Sequence, residues 1–346
     1  KKNTLFLALM LASNVTFSTA ISASSPSNAK ENENKVTNNQ PNIVFLLIDD
    51  WGWQDVGFMG SSYYDTPNMD ALAKQSIRFD HGYSAAPNCA PTRAALMSGQ
   101  YAPRTGIYTV DDPARGEATQ RKLIPSDNTT VLNNSVVTMA QSIKAAGYNT
   151  AFMGKWHLGA GTKGGPLVQG FDVNIGGNKT GSPKGGYFAP YKNADMVQGP
   201  DGEYLTDRLT REAISYIQQQ SNDKPFFLYL SHYAVHKPIQ APEDTTAKYE
   251  KRQADEFHHN AKYGAMVDHV DQGVGGGLLV QCPRAERGLV QAHEAEHLQH
   301  LVEVDRVTRT EAFEVFLQAR PENLVLLDAG LLQQPENLLR LHLALL

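Results

Sequence analysis

Three apolar runs stand out against an otherwise mixed chain: Ile43 to Ile48, Tyr148 to Met153 and Pro225 to Ser231. Continuous runs of branched and aromatic residues at this length mark strands buried on both faces of a parallel sheet. Between them the apolar spacing turns helical. Thr66 and Pro67 suit the cap and first residue of a helix through Gln75, and Val136 to Ala146 keeps a helical period up to Gly147, a good terminator. Leu205 to Gln219 and Tyr263 to Val274 are two further helices, and Ile77 to Tyr83 reads as a return to the sheet. Strands alternating with helices predict an α/β fold with a wound, mostly parallel sheet flanked by helices.

Ligands of such sheets gather beyond the carboxyl ends of the strands. Asp49 and Asp50 end the first run, Lys155 and His157 follow the second, and His232 and His236 follow the third. The Gly-, Lys- and Asn-rich segment Gly159 to Gly186 reads as a long surface loop bordering a cleft.

Composition narrows the class. A net charge of -5 over 346 residues supplies no basic field, so nucleic acid is not an expected partner, and anion selectivity must come from local Lys, Arg and His. Hydrophobic content of 41% supports a core. Lys1 and Lys2, the apolar run Leu5 to Ala12 and small residues near Ala20 and Ala23 read as a secretory signal over residues 1–23, too short for a stable membrane span. Export to the periplasm or the extracellular space follows from that reading. Residues 24–40 are polar and Asn-rich, a flexible linker, and 41–273 form the core.

The character of the chain changes after about Gly275. From Asp271 to Leu346 there is no Lys, Ile, Tyr or Trp. Residues 274–346 are therefore read as a divergent tail: either a separate helical region or, the favoured reading, a stretch translated in a shifted frame.

Candidate chemistry centres on Cys89-Ala90-Pro91-Thr92-Arg93. The thiol stands just before an expected helix start, with Pro91 at the first helical position, where an anion would meet free backbone N–H groups. Cys282 is the only other cysteine, so a disulfide is open on composition alone, and an isolated cysteine is more often a buried hydrophobe. Asp49-Asp50 at a strand end is a hard-metal half-site, because adjacent carboxylates repel unless a cation compensates. Lys155 and His157, two apart on an extended segment, can face one anion together. His236 suits proton transfer near neutral pH, whereas His232 reads as structural.

Three segments in order, Asn42 to Asp50, Cys89 to Gly99 and Gly154 to Gly159, resemble the type I sulfatases of the alkaline-phosphatase-like superfamily. The resemblance implies that Cys89 is oxidised to formylglycine by a maturation enzyme. The hydrated aldehyde would attack sulfur and later expel sulfate by re-forming its carbonyl. It implies one calcium ion held by Asp49, Asp50 and the modified Cys89, with Arg93, Lys155, His157 and His236 as catalytic residues. Sulfated carbohydrate, or an aryl sulfate, is the implied substrate. The match runs from about Pro41 to Gly273. The family's later Asp-Asn-Gly metal segment and the Lys after it are not recognisable, which leaves calcium, a taker of six to eight oxygens, short of protein ligands and the sheet incomplete at its C-terminal end. Two other readings stay open: a phosphomonoesterase or phosphodiesterase using the same cradle, and a non-catalytic binder of sulfated glycan.

Overall fold

The computed structural model describes residues 40–221 and 223–275. The expected signal, all of the linker but Gln40, and the tail beyond Gly275 lie outside the described residues.

Four parallel strands, β1 (Ile43–Ile48), β2 (Asn149–Gly154), β3 (Val173–Ile175) and β4 (Phe226–His232), form one sheet in the order β1-β4-β2-β3. Among the described residues, seven α-helices accompany them: α1 (Pro67–Ala73), α2 (Cys89–Ser98), α3 (Ala102–Thr105), α4 (Met139–Ala145), α5 (Leu205–Gln218), α6 (Glu243–Glu250) and α7 (Ala261–Gly273). The mostly parallel, helix-flanked sheet that the apolar runs require is present.

Alternation along β4 explains the two-sided core. Phe226, Leu228 and Leu230 pack with Leu205, Leu209, Met266 and Val270 of α5 and α7. Phe227 and Tyr229 pack on the other face with Ala90, Ala94 and Met97 of α2 and Ala140 of α4. Every residue of β4 is buried, so the strand reads as an unbroken apolar run. Each large side chain so covered contributes about 1.5–3 kcal/mol of transfer free energy.

Register brings the strand ends level. Leu47 of β1 and Gly154 of β2 both pair with Ser231 of β4, so Lys155 leaves the sheet level with His232 and Ile48, and Asp49 follows one residue on. Gly154 has φ 101°, and a Cβ there would overlap the Ser231 carbonyl oxygen. That same oxygen accepts the Lys155 N–H at 2.7 Å. Only glycine permits this approach.

Several expectations need correction. Ile77 to Tyr83 is not a strand. Ile77, Phe79 and Tyr83 are about half exposed, and without a neighbouring strand to accept the ladder the alternation alone makes no sheet. Gly159 to Gly186 is not simply a surface loop, since it holds a 3-10 turn at Pro166–Gln169, all of β3, and the buried Phe171. Helix α2 starts at Cys89 with Asn88 as cap, which makes Pro91 its third residue. Helix α4 starts at Met139, three residues later than the apolar period suggests. There Thr138 and Gln141 form a reciprocal capping box, which satisfies two otherwise unpaired N–H groups. Among the described residues, no helix is long and apolar enough to cross a membrane.

Candidate active site

The first turn of α2 meets the carboxyl ends of β1, β2 and β4. Cys89 is the first residue of α2 and is buried with a free thiol. Arg93, one turn later, is directed back under it. Its Nε donates to Asp49 Oδ2 at 2.5 Å, one terminal nitrogen to Ser231 Oγ at 2.9 Å, and the other to the Lys155 carbonyl. The guanidinium thus ties α2 to the ends of β1, β2 and β4.

Lys155 is fully buried, and its ammonium bridges three groups: Asp50 Oδ2 at 2.6 Å, Asp49 Oδ2 at 3.1 Å and Cys89 Sγ at 3.3 Å. Cys89 Sγ in turn lies 3.6 Å from Asp50 Oδ1. Two cations and two carboxylates therefore surround one sulfur. Burial opposes ionisation of Asp49, yet Arg93 and Lys155 hold its carboxyl well below the usual carboxylate range. Burial also opposes the charges on Lys155 and Arg93, yet Asp49, joined by Asp50 and Cys89 at Lys155 and by Tyr229 and Cys89 at Arg93, leaves both raised. The thiol behaves differently: burial pushes Cys89 up to about 12, with Asp49 and Asp50 opposing the attraction of Lys155 and Arg93. At neutral pH this sulfur carries its proton, so the unmodified residue is a poor thiolate nucleophile.

Asp50 and His157 have left-handed φ values of 65°, two of the three non-glycine residues that do so among the described residues. Both follow strands directly into the site, and such backbone persists where surrounding structure over-determines it. For His157 it changes the expected route: the left-handed turn breaks the alternation that was to align it with Lys155. Its ring packs against Gly181, where a Cβ would overlap it, and its buried Nδ1 has no partner. Burial, then the charges of Lys155 and Arg93, lower His157 to about 4, so it is neutral at pH 7.

His236 does reach the cluster. Asp50, Cys89 and His236 each offer a ligand atom, all within 4.8 Å of one another. Its Nδ1 lies 2.8 Å from the Lys237 carbonyl oxygen, an acceptor only, so Nδ1 carries the hydrogen and Nε2 keeps the exchangeable position. His232, read as structural, is fully buried with both ring nitrogens unpartnered, and burial lowers it to about 4. Ser231 was given no role on sequence grounds. Its hydroxyl inside an otherwise apolar and aromatic strand is the signal that marks it.

A hard cation has a partial fit here. Asp49 Oδ1 is buried without a hydrogen-bond partner, and Asp50 lies beside it in sequence and space. An orphaned carboxylate oxygen at such depth is the kind of donor that a metal ion satisfies.

The family model described as Sulfatase matches residues 41–278, a span that contains every group above. The chain belongs to the sulfatase family. A sulfatase of Formosa agariphila is 33% identical to it over 304 residues, covering 72% of this chain and 55% of that protein. The N-acetylgalactosamine-6-sulfatase of Mus musculus is 35% identical over 257 residues, covering 68% and 46%. Among solved structures, Ps i-CgsB aligns with a TM-score of 0.57 at 29% identity, covering 72% of this chain and 57% of that one. The chain spans about half the length of the curated relatives it matches.

Proposed function

We propose that this sulfatase-family chain hydrolyses sulfate esters of a sulfated carbohydrate at the side chain of residue 89. The observation that carries the proposal is the convergence of Lys155, Asp49, Asp50, Arg93 and His236 on Cys89 at the strand ends. A carbohydrate substrate draws support from the sugar named in the mouse relative and from Ps i-CgsB, also solved with k-i-k-neocarrahexaose at 28% identity and a TM-score of 0.54.

Conversion of Cys89 to formylglycine by a maturation enzyme would supply, as the hydrated aldehyde, the oxygen nucleophile that a protonated thiol cannot. Calcium, held by Asp49, Asp50 and the side chain at 89, would polarise sulfate oxygens and offset the two carboxylates. The protein's own charges then divide the remaining work. The Lys155 ammonium, 3.3 Å from Cys89 Sγ, would contact a sulfate oxygen placed at residue 89. Arg93, locked to Asp49 and Ser231, holds the cradle in register and adds fixed positive charge where negative oxygens develop, a contribution of about 2–4 kcal/mol per group. His236 reaches the cluster, and with both ring nitrogens protonated it can deliver the Nε2 proton to the departing alcohol oxygen. His157, neutral at pH 7, serves as a hydrogen-bonding group rather than a charge. The apolar run behind Lys1 and Lys2 supports export, periplasmic or extracellular.

The test is a paired assay on the chain produced with a formylglycine-generating enzyme, with calcium present. Sulfate release from an aryl sulfate should exceed phosphate release from the matching aryl phosphate and vanish in Cys89→Ala. A phosphate preference, or turnover that survives Cys89→Ala, overturns the proposal. Ligand binding without turnover by the converted chain identifies a non-catalytic sulfated-glycan binder instead.

A further inference from the structure

Beside the site lies a second cavity of about 230 Å³, walled by the segment that runs from Asn178 to Met196 and by Tyr233. Lys179, Lys184 and Lys192 line it against a single carboxylate, Asp195. Among the described residues, none of the three ammonium groups has an ion-pair partner. Unpaired like charges gathered in a concavity raise the local concentration of anions.

The cavity is held open by its own hydrogen bonds. Asn178 Nδ2 donates to Asn193 Oδ1 at 2.8 Å, Asn193 Nδ2 donates to the Gly176 carbonyl at 2.9 Å, and Thr180 Oγ1 donates to Asn178 Oδ1 at 2.6 Å. At Gly185, φ 90°, a Cβ would come within 2.9 Å of the Lys192 Cγ, so the glycine leaves room for the Lys192 stem. The lysines therefore project from a fixed frame.

Two links connect that frame to the site. The Asn178 carbonyl accepts the His157 N–H at 2.9 Å, and Gly181 packs on the His157 ring. On the other wall, the Tyr233 hydroxyl donates to Gly176, its carbonyl accepts the His236 N–H, and its phenol feels the charges of Arg93 and Lys155. One loop thus backs onto His157 with one face and lines the cavity with the other. The volume falls below the roughly 300–1,000 Å³ of drug-sized ligand sites, so it suits one sugar unit or its substituent rather than a long chain.

We propose that Lys179, Lys184 and Lys192 form an accessory subsite for a second anionic group, sulfate or carboxylate, on the sugar adjoining the one whose sulfate ester is cleaved. This rests on the sulfate-ester reading for the meaning of "adjoining", and selects substrates charged on consecutive units. The lysines touch no reacting atom. They set which substrate is held.

Binding separates this from turnover. Isothermal titration of the full chain in its thiol form, which does not hydrolyse, would use three disaccharides: one with a single sulfate, one with a second sulfate on the neighbouring sugar, and one with a uronate there. In 50 mM salt, the second charge should tighten binding about fivefold, and the combined variant K179Q/K184Q/K192Q should erase that gain while leaving the singly sulfated ligand unchanged. The gain should shrink at high salt. Whichever of sulfate and uronate gives the larger gain names the natural substituent. Equal binding of all three probes, or a gain that persists in the lysine variant, overturns the subsite. A lysine-dependent gain in a chain that, once converted, releases no sulfate overturns the hydrolytic reading alone. The three side chains are exposed, and an unchanged melting temperature of the variant excludes a folding defect as the cause of a lost gain.

Discussion

At Arg93 the fold and the proposed chemistry depend on the same bonds. The guanidinium is 2% exposed and its removal would leave Asp49 buried beside a single cation. Breaking a buried pair from one side costs about 3–5 kcal/mol, so Arg93→Met should lower the urea midpoint by that equivalent and abolish sulfate release. A second residue-scale prediction follows from His232. Its value drops from 6.5 to about 4 in the folded chain, so the unfolded chain takes up a proton first as pH falls. The stability it contributes is complete above pH 6.5 and is lost between there and about pH 4, up to about 3 kcal/mol. Unfolding curves collected at pH 7.5, 5.5 and 4.5 should show that decline, and His232→Leu should remove about half of it, His157, lowered to about 4 as well, supplying the rest. A wild type equally stable across the range contradicts the assignment. Asp49, depressed instead of raised, adds a loss that begins only near the ordinary carboxylate range, below about pH 4. At this scale, the placement of Asp49, Asp50, Cys89, Arg93, Lys155 and His236 was legible: they meet as their positions after strands and at a helix start imply. Ser231 was missed because a serine hydroxyl has no periodic signature, and the route to His157 was misjudged because a left-handed φ leaves no trace in residue type.

Elements were legible in proportion to their burial. Strands β1, β2 and β4 come within one residue of their apolar runs, because both faces are covered and their polar residues, Asn149 and Thr150 of β2 and Ser231 and His232 of β4, stand only at the strand ends. Strand β3 is three residues long with half-buried Val173, Asn174 and Ile175, too short to carry a period. Helix α6 went unread because only Thr246 and Tyr249 of its eight residues are buried, so it shows no apolar stripe. Conversely, Ile77 to Tyr83 has the alternation of a strand and, among the described residues, no strand beside it. Two element-scale predictions test the reasons given. Gly154→Ala should cost about 2–4 kcal/mol by calorimetry, since a Cβ cannot share space with the Ser231 carbonyl. It should also reduce turnover more than its stability loss explains, because that carbonyl seats Lys155. Thr138→Ala removes a cap that also donates to the Gln169 carbonyl at 2.5 Å, and should cost about 1–2 kcal/mol with turnover unchanged.

On the scale of the whole molecule, the sheet acts to bring charges from distant parts of the sequence to one point. Asp49 and Lys155 are 106 residues apart in sequence, and their alignment depends on both neighbouring strands pairing level with β4. That arrangement was legible as a fold class, while its completion was not: the chain spans about half the length of its curated relatives, and no Asp-Asn pair that could be the family's later metal segment occurs in the sequence after Gly273. The cluster is self-neutral without a divalent ion, so the protein should fold in a chelator and gain stability on adding calcium. A gain of about 2.7 kcal/mol at a hundredfold excess over Kd, read as a rise in melting temperature and absent in Asp49→Asn, is the expected result. The most direct measurement is the mass of the peptide containing residue 89, taken across preparations with differing exposure to the maturation enzyme and compared with their rates of sulfate release. The account predicts that release rises in proportion to the aldehyde fraction and is nil where the thiol is intact. Sulfate release from a chain whose Cys89 remains entirely a thiol would contradict it.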